Sequence, residues 1–374
     1  MSATGPEDRA SQSERSTALC GPPDRSEQAA LYNLCFDKQD GERVLGWRYD
    51  KNPAGQAVSL LTRSDSGQPV SGYACSPRAA CSRGQLDTLA SIGQTGDVMT
   101  HPEWRGKGIF SDLDRAAMVE TGRQGWPFVL GLPNRKSESI FTGKLGWKLV
   151  GRIRPWTFVL QTDEITLRER IRVSRWAAFV APFHQRKGIK KRADLKALGD
   201  GSYAIEAIER FDDEVDPIFE VIAPAFPLIV RRNAAYLNWR FIDAPSGLFR
   251  ALGVRDETGM LRAWCVVQLP STRQGVGYLI DLLASDEASA AHAFEAGFAF
   301  LEKAECSVVR SHAIESSSWQ AQLEGAGFLP GKAEDYKAVI AYIHDEQHPL
   351  GQAALKPESW FFTDGDRDDE LVSG

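Results

Sequence analysis

The alternation of apolar and polar residues along this chain predicts short strands separated by amphipathic helices. Near residue 100 an apolar strand ends at Pro102, a turn with two glycines follows, and residues 111–120 have the spacing of an amphipathic helix. The apolar run 128–132 predicts a second strand, and residues 137–144 predict a short helix after it. This order of strand, helix, strand and helix indicates an α/β fold class.

The same pattern occurs twice. The segment LGWRY around Trp47 matches LNWRF around Trp239, and matching residues continue at the same offset. Both copies also end alike, because a glycine-aromatic turn at Gly146 has a parallel at Gly327. Matches at one fixed spacing indicate an internal repeat and therefore two related domains. Since the Trp-Arg pair is present in both copies, we expect it to be structural, with each Trp anchoring a helix on the sheet and each Arg bonding to backbone carbonyls.

The repeat and the composition divide the chain into five parts. These are a disordered tail at 1–27, a first domain at 28–162, a basic linker helix at 163–199, a second domain at 200–345 and a tail at 346–374. The first tail is predicted to be disordered because it is rich in Ser, Pro and charged residues. Basic residues and large aromatics alternate in 165–192, which is compatible with contact to an anionic membrane surface. A linker that packs its aromatics between the domains is the favoured interpretation.

Composition and charge exclude several classes of function. The chain has 374 residues, too many for one ordinary core, and its net charge of -6 gives no support to nucleic-acid binding. The six cysteines are scattered without a CxxC pair, so we expect reduced thiols and no metal site. No apolar run is long enough to span a membrane and no signal core begins the chain, so we expect a cytoplasmic protein.

The turn that precedes the helix at 111–120 carries the clearest chemical signal. It reads Arg105-Gly106-Lys107-Gly108. The glycines let the backbone approach a ligand closely, and the first N–H groups of the following helix have no partner within the helix. Together with two cations, these groups suit a phosphate or pyrophosphate. The turn matches neither GxxxxGK[ST] nor GxGxxG, so neither a nucleoside-triphosphate loop nor a dinucleotide fingerprint is present.

This turn resembles the acetyl-CoA motif of the GNAT N-acetyltransferase superfamily. A second block follows in the order found in that superfamily, namely a strand ending at Asn134, a short helix and the LGW turn around Gly146. The two blocks together make the resemblance specific over residues 94–150. The resemblance implies two tandem GNAT-like domains, each a mixed, mostly antiparallel sheet flanked by helices. It also implies acetyl-CoA as a substrate.

The resemblance implies how acetyl-CoA would be held. Pantetheine would run between the two strands, bonded to the main chain at Val98 and Thr100, while the pyrophosphate would lie on the N–H groups of the turn. The cofactor-binding residues implied in this way are Val98, Met99, Thr100, Arg105, Gly106, Lys107, Gly108, Ile109, Phe110, Asn134 and Phe141. Asp97 is the candidate base, because acids in this region serve as base in some members. An exposed acid at a strand end is an equally good interpretation of Asp97.

Two positions depart from the superfamily pattern. Phe110 stands where Gly or Ala is usual, so its side chain must point away from the pyrophosphate or the turn must shift. Phe141 stands where many members have a Tyr whose hydroxyl protonates the departing thiolate, so the usual general acid is missing.

The second copy lacks the cationic turn. Its residues 284–288 read ASDEA, and two acids at this place would repel a phosphate. We therefore expect a degenerate domain that binds no CoA. It would support the first domain or shape the acceptor cleft, and a purely structural or dimerisation role is the other interpretation.

The sequence favours an N-acetyltransferase that moves an acetyl group from acetyl-CoA to a primary amine by direct attack in a ternary complex. The acceptor would be a small molecule or an amino sugar. One alternative is a non-catalytic acyl-CoA-binding regulatory protein, which fits Phe110 and Phe141. The other is a Fem-type aminoacyl transferase, which also uses tandem GNAT-like domains but needs no CoA turn. Homodimer formation is left open.

Overall fold

The two copies of the repeat build one continuous sheet with helices packed against it. The computed structural model describes residues 15–86, 89–161, 192, 203–270, 275–331 and 336–368. The strands in these ranges are β1 Ser16–Leu19, β2 Val58–Arg63, β3 Pro69–Cys81, β4 Ala90–Thr100, β5 Phe128–Gly131, β6 Lys148–Val159, β7 Ala204–Ile208, β8 Leu228–Val230, β9 Phe249–Arg255, β10 Leu261–Gln268, β11 Val276–Ala284, β12 Val308–Ile314, β13 Leu329–Pro330, β14 Lys337–Ile343 and β15 Trp360–Phe361. The α-helices are α1 Arg25–Phe36, α2 Gly41–Leu45, α3 Ile109–Arg123, α4 Arg135–Lys144, α5 Asp216–Ile222, α6 Ala234–Leu237, α7 Glu287–Lys303, α8 Ser318–Gly325 and α9 Pro349–Ala354.

The strand order confirms the mixed, mostly antiparallel sheet in both halves. Along its main path the order is β1-β2-β3-β4-β5-β14-β6-β12-β11-β10-β9-β7. On this path the parallel neighbours are β4 with β5 and β11 with β12, one pair in each half. Beyond the paired residues of each parallel pair the two strands diverge and leave a gap. The gap occurs in both halves because the repeated sequence builds the same strand arrangement twice.

The last strand of each copy completes the sheet of the other copy. Strand β6 belongs to the first copy in sequence, yet its residues 153–159 pair with the whole of β12. Strand β14 belongs to the second copy, yet it lies between β5 and β6. The sequence boundaries 28–162 and 200–345 therefore do not separate two independent sheets. The buried core is likewise shared, because Trp47 and Phe128 belong to the same apolar cluster as Trp264 and Trp319.

The repeated Trp-Arg motif forms a further contact between the halves. Each copy folds into a wide helical turn, Gly46–Asp50 in the first half and Asn238–Ile242 in the second. Trp47 and Trp239 stack with ring centroids 5.1 Å apart. Trp47 Nε1 donates to the carbonyl of Trp239 at 2.7 Å, and Trp239 Nε1 donates to the carbonyl of Trp47 at 2.9 Å. The motif is structural, but it anchors the halves to each other.

The two arginines of the motif bond differently. Arg240 donates to the backbone carbonyls of Gly365 at 2.9 Å and Arg367 at 3.2 Å, which confirms the expectation for this copy. Arg48 instead forms an ion pair with Asp97, so the expectation of carbonyl bonding was wrong for the first copy.

Both segments that the sequence assigned to tails contain ordered elements, which corrects those boundaries. Within 1–27, strand β1 pairs with β2 and α1 begins at Arg25, a buried residue whose guanidinium bonds to Asp50. Within 346–374, α9 and β15 are ordered and mostly buried, as is a short helical turn at Asp364–Asp366. These acids look like a solvated tail in sequence, but in the fold they neutralise buried arginines from other elements.

The predicted linker helix 163–199 lies outside the described residues apart from Arg192. Arg192 Nε donates to Glu295 on α7 at 2.7 Å, and its guanidinium also pairs with Glu302. The segment 165–192, for which contact with a membrane surface was considered, is likewise undescribed except for this residue.

Candidate functional site

A cavity opens where β4 and β5 diverge. The two strands pair only at residues 93–95 with 129–131, and beyond Thr95 and Gly131 they separate. The cavity has a volume of about 560 Å³ and is bounded by β4, the glycine turn, the start of α3, the end of β5 and α4. All the site residues that the sequence predicted line this cavity, except Lys107.

The glycine turn presents its backbone to the cavity. Gly106 and Gly108 have φ of 78° and 77°, a left-handed conformation that favours glycine. Gly108 is the N-terminal cap of α3, which begins at Ile109. Within the described residues, no acceptor receives the N–H groups of residues 106–110. These donors and the helix dipole together form a site for an anion.

The cations around this turn do not all face the cavity. Arg105 lines it, and its Nε donates to the carbonyl of Thr100 at 3.2 Å. The ammonium of Lys107 instead lies 4.3 Å from the ring centroid of Trp104, so only its backbone belongs to the anion site. Lys136 on α4 and Lys337 on β14 also line the cavity, and sequence analysis missed both. Lys136 stands two residues after Asn134 and could have been found, whereas Lys337 comes from the other half.

A bulge distorts β4 at the cavity. The pairing register with β3 shifts between Gly72 and Ala74, and Asp97 has a φ of 49°. The extra residue bends β4 and turns its free edge towards the gap. Met99 keeps its side chain buried at 2% exposure, where a methyl group on Gly72 would collide with it. Met99 also lines the cavity.

Asp97 is held in an ion pair at the rim of the core. Arg48 donates to both of its carboxylate oxygens, at 2.6 and 2.5 Å, and the hydroxyl of Tyr49 donates to it at 2.7 Å. Burial lowers the pKa of Arg48, but Asp97, Tyr49 and Asp368 together raise it by more, so the net pKa lies above its ordinary value. Burial raises the pKa of Tyr49, which keeps the phenol protonated. Both oxygens of this carboxylate are engaged by Arg48 and Tyr49, and the assignment of Asp97 as the base stays a prediction.

The wall formed by α4 is aromatic. Asn134 caps the helix, because its Oδ1 accepts from the N–H groups of Lys136 and Ser137, both at 3.0 Å. Phe141 is 3% exposed and packs edge-on against Phe110, with ring centroids 5.1 Å apart. The Phe110 ring therefore lies against the wall and leaves its own N–H group clear. Phe141 offers no hydroxyl to the cavity.

A buried acid that sequence analysis missed supports this wall. Asp114 on α3 accepts from the hydroxyl of Tyr73 at 2.7 Å and from Trp147 Nε1 at 3.2 Å. Burial raises the pKa of Asp114 to about 6, although these two hydrogen bonds lower it. Its position within an amphipathic helix gave no signal, because an acid on a helix is usually solvated.

In the second half the matching gap is filled by the chain itself. Strands β11 and β12 pair only at residues 276–278 with 308–310 and then diverge. Residues 363–366 occupy the space between them. The backbone N–H of His312 donates to Asp364 Oδ2 at 2.8 Å, and Thr363 Oγ1 donates to Asp281 Oδ1 at 3.0 Å.

The helix start that matches the glycine turn carries its own cap in the second half. Asp286 accepts from the N–H of Ser289 at 2.7 Å, so this end of α7 is already satisfied by a carboxylate. Beside it lies a cavity of about 490 Å³ with a mainly apolar lining that includes Leu283 and Phe294. The acids Asp286 and Glu287 also line this cavity. Such an arrangement is unfavourable for a pyrophosphate.

The described residues contain neither a helix long and apolar enough to cross a membrane nor a cluster of His, Cys, Asp and Glu that could hold a metal ion.

Comparison with known proteins agrees with this geometry. Residues 22–150 match the family model described as an acetyltransferase (GNAT) domain. No curated protein sequence matches the chain. A GCN5-related N-acetyltransferase from Anabaena variabilis superposes with a TM-score of 0.60 at 13% identity, over 89% of this chain and 73% of that one.

Two further solved structures share the fold of both halves. Saccharomyces cerevisiae N-myristoyltransferase with bound myristoyl-CoA superposes with a TM-score of 0.55 at 12% identity, over 92% of this chain and 83% of that one. A tandem GNAT protein from the clavulanic acid biosynthesis pathway superposes with a TM-score of 0.53 at 12% identity, over 90% of this chain and 100% of that one. At these identities the likeness establishes the fold alone.

Proposed function

Because residues 22–150 make this chain a member of the GNAT acetyltransferase superfamily, we propose that it transfers an acetyl group from acetyl-CoA to a primary amine. One observation carries the proposal. The glycine turn Arg105-Gly106-Lys107-Gly108 presents its unbonded N–H groups at one end of the cavity between β4 and β5. A pyrophosphate on this turn would direct its pantetheine arm into that gap.

Different residues around the cavity would bind different parts of acetyl-CoA. The N–H groups of residues 106–110 and the Arg105 guanidinium would hold the pyrophosphate. The edge of β4 at Val98 and Thr100 would bond to pantetheine, and Asn134 would contact the same arm from α4. The acetyl group would then lie near the bulge at Asp97, where the two strands begin to separate.

The reaction needs no covalent enzyme intermediate. The neutral amine nitrogen attacks the thioester carbon, the carbon–sulfur bond breaks, and CoA leaves as its thiolate. The nitrogen loses one proton to solvent water as the amide forms. Phe141 cannot protonate the thiolate, so we propose that water supplies that proton. The acceptor is a small molecule or an amino sugar.

A non-catalytic acyl-CoA-binding protein is the second candidate, and Phe141 is the observation that favours it. A Fem-type aminoacyl transferase is disfavoured by the intact anion site, which such a reaction would leave unused.

A turnover assay tests the proposal. Acetyl-CoA would be offered with a panel of primary amines, including glucosamine, spermidine and tyramine, and the release of the CoA thiol would be followed. We expect steady thiol release with at least one amine. Arg105→Glu should lower kcat/KM for acetyl-CoA about 100-fold, because a hydrogen bond to a charged group contributes about 1.5–3 kcal/mol and tenfold corresponds to 1.4 kcal/mol.

Arg123→Glu is the matched control, since it makes the same charge reversal at the exposed far end of α3 and should leave kcat/KM unchanged. Binding of acetyl-CoA without turnover of any amine would favour the regulatory protein. Absence of acetyl-CoA binding would overturn both the acetyltransferase and the acyl-CoA-binding protein, and would leave a Fem-type aminoacyl transferase as the remaining candidate.

A further inference from the structure

The glycine turn is not held in place by packing. Gly106 and Gly108 have φ of 78° and 77°, and a methyl group added to either would meet no described atom within 4 Å beyond its chain neighbours. Glycine has more accessible backbone conformations than other residues, so the peptide groups beside it can rotate at small energetic cost. A turn that binds an anion through its N–H groups therefore needs another contact to fix the direction of those groups.

Arg15 supplies such a contact from the N-terminal segment. It directly precedes β1, which pairs with β2, and its Nη1 donates to the carbonyl of Lys107 at 3.3 Å. Its Nη2 pairs with Asp112, in the first turn of α3, at 2.7 Å. One guanidinium therefore joins the middle of the glycine turn to the helix that follows it. The sequence placed Arg15 in a disordered tail and gave no sign of this contact.

The carbonyl that Arg15 contacts belongs to the same peptide group as the N–H of Gly108. A peptide group is planar, and the described part of the chain has no cis peptide bond, so this C=O and this N–H point in opposite directions. Gly108 lines the cavity, whereas Lys107 and Arg15 do not. A bond to the carbonyl from outside the cavity therefore fixes the direction of the N–H group. It also polarises the peptide group, which strengthens the bond that the N–H makes to an anion.

Arg15 also offsets the charge of an acid beside the turn. Asp112 is exposed, and its carboxylate would disfavour a pyrophosphate bound at the start of α3. Both Arg15 and Arg115 pair with it, at 2.7 and 3.3 Å. The side chain of Arg115 is 62% exposed against 28% for Arg15, and in the described part of the chain it bonds to Asp112 alone. The two arginines thus share one acid, but Arg15 is the one that reaches the turn.

We propose that Arg15 is a positioning residue for acetyl-CoA. It holds the peptide group between Lys107 and Gly108 so that the Gly108 N–H meets the pyrophosphate, and it neutralises Asp112. Arg15 acts through the turn and does not touch the cofactor itself. This inference rests on the proposed acetyl-CoA site, and it makes the N-terminal segment a working part of that site.

The test compares Arg15→Met with Arg15→Lys by calorimetry of acetyl-CoA binding, which needs no identified amine. We expect Arg15→Met to raise the Kd for acetyl-CoA about tenfold, because one aligned hydrogen bond is lost and an acid is left uncompensated. Arg15→Lys should recover part of the affinity, since an ammonium group can still reach the carbonyl or the acid. The midpoint of urea denaturation should not change, because the ion pair is partly exposed.

The amine assay adds a second readout. In Arg15→Met the KM for acetyl-CoA should rise about tenfold while kcat changes less than about twofold, because the pyrophosphate is held equally in the ground state and the transition state. An equal fall in kcat would contradict a role confined to binding the cofactor.

Arg115→Met is the matched control, because it removes the same charge from the same acid without touching the turn. Its Kd for acetyl-CoA should stay within about twofold of wild type. An unchanged Kd in Arg15→Met would overturn this inference and leave the acetyl-CoA site intact. Equal weakening in Arg115→Met would also overturn it, since the effect would then come from net charge alone. Absence of acetyl-CoA binding to the wild type would instead overturn the proposed function itself.

Discussion

The gap between β4 and β5 and the gap between β11 and β12 are the same feature built twice, yet they hold different things. In the first half the gap opens into a cavity of about 560 Å³ beside an anion site. In the second half it is filled by the chain's own residues 363–366, bonded to His312 and Asp281. The gap is thus a property of the repeated strands. The ability to bind a ligand depends on the turn beside the gap and on whether the chain itself occupies it.

The two helix starts beside these gaps differ in the sign of their charge. The first presents free N–H groups with Arg105, and the second is capped by Asp286. A helix N-terminus stabilises an anion in both cases. In the second half that anion is a side chain of the protein, whereas in the first half we propose that it comes from a ligand. This difference supports the proposal that the first half binds the ligand and the second half supports it.

The largest expected effect concerns the charges that hold the C-terminal segment in the second gap. Arg232→Met should lower the free energy of unfolding by about 3–5 kcal/mol, because Asp366 and Asp281 would remain buried without their cation. Urea denaturation would measure this loss. Arg210→Met is the matched control, since the Arg210–Asp243 pair is exposed and its removal should leave the denaturation midpoint unchanged. An equal denaturation midpoint for Arg232→Met and wild type would contradict the stabilising role of these buried ion pairs.

The helices behind the two gaps also differ, because α3 buries Asp114 whereas the residues buried on α7 include no acid. The folded-state pKa of Asp114 is raised to about 6 from an ordinary 3.8. At pH values between these two pKa values, Asp114 is protonated in the folded state and ionised in the unfolded state. Stability therefore falls as pH rises from about 4 to about 6, by up to about 3 kcal/mol.

Asp114→Asn should remove this pH dependence and make the protein more stable at pH 7, by about 1–3 kcal/mol, since the amide oxygen can still accept from Tyr73. Denaturation of the variant and of the wild type at pH 4 and pH 7 would measure the difference between them. A difference that does not change with pH would show that Asp114 titrates normally in the folded state.

A smaller effect is expected where the two halves are most alike. Trp47→Phe and Trp239→Phe should each cost about 1–2 kcal/mol, because each removes a donor and leaves the opposite carbonyl buried. The two costs should be similar, and the double variant should lose less than their sum, since the rings stack on each other. Strictly additive losses, or a loss in only one variant, would argue against a symmetric contact.

Sequence signals were enough for the repeat and the turn, and the family resemblance implied the mixed sheet. Residues 111–120 lie within α3, and the run 128–132 contains β5, because periodicity and glycine chemistry act over a few residues. The exchange of β6 and β14 was not predictable in the same way, since the paired residues lie between 149 (308 − 159) and 215 (343 − 128) positions apart and leave no local pattern. For the same reason Lys337 and Asp368 were missed as cavity residues.

The ion pair of Asp97 was hidden for a different reason. Its partner Arg48 belongs to the repeated motif, which was interpreted as purely structural. The same motif places an arginine in both copies, but Arg48 pairs with Asp97 whereas Arg240 bonds to backbone carbonyls. The two arginines look alike in sequence although their surroundings differ. Only the fold distinguishes them. The acidic segment 364–368 was similarly assigned to a tail, because its buried cationic partners lie far away in sequence.

Calorimetry of acetyl-CoA binding tests the difference between the two halves most directly. We predict one binding site per chain. Arg105→Glu should weaken binding about 100-fold, or about 2.7 kcal/mol. Glu287→Lys, the reverse charge change at the matching turn of the second half, should leave affinity and stoichiometry unchanged. Two sites per chain, or affinity that depends on residue 287 and not on residue 105, would contradict the assignment of the cavity between β4 and β5 as the acetyl-CoA site.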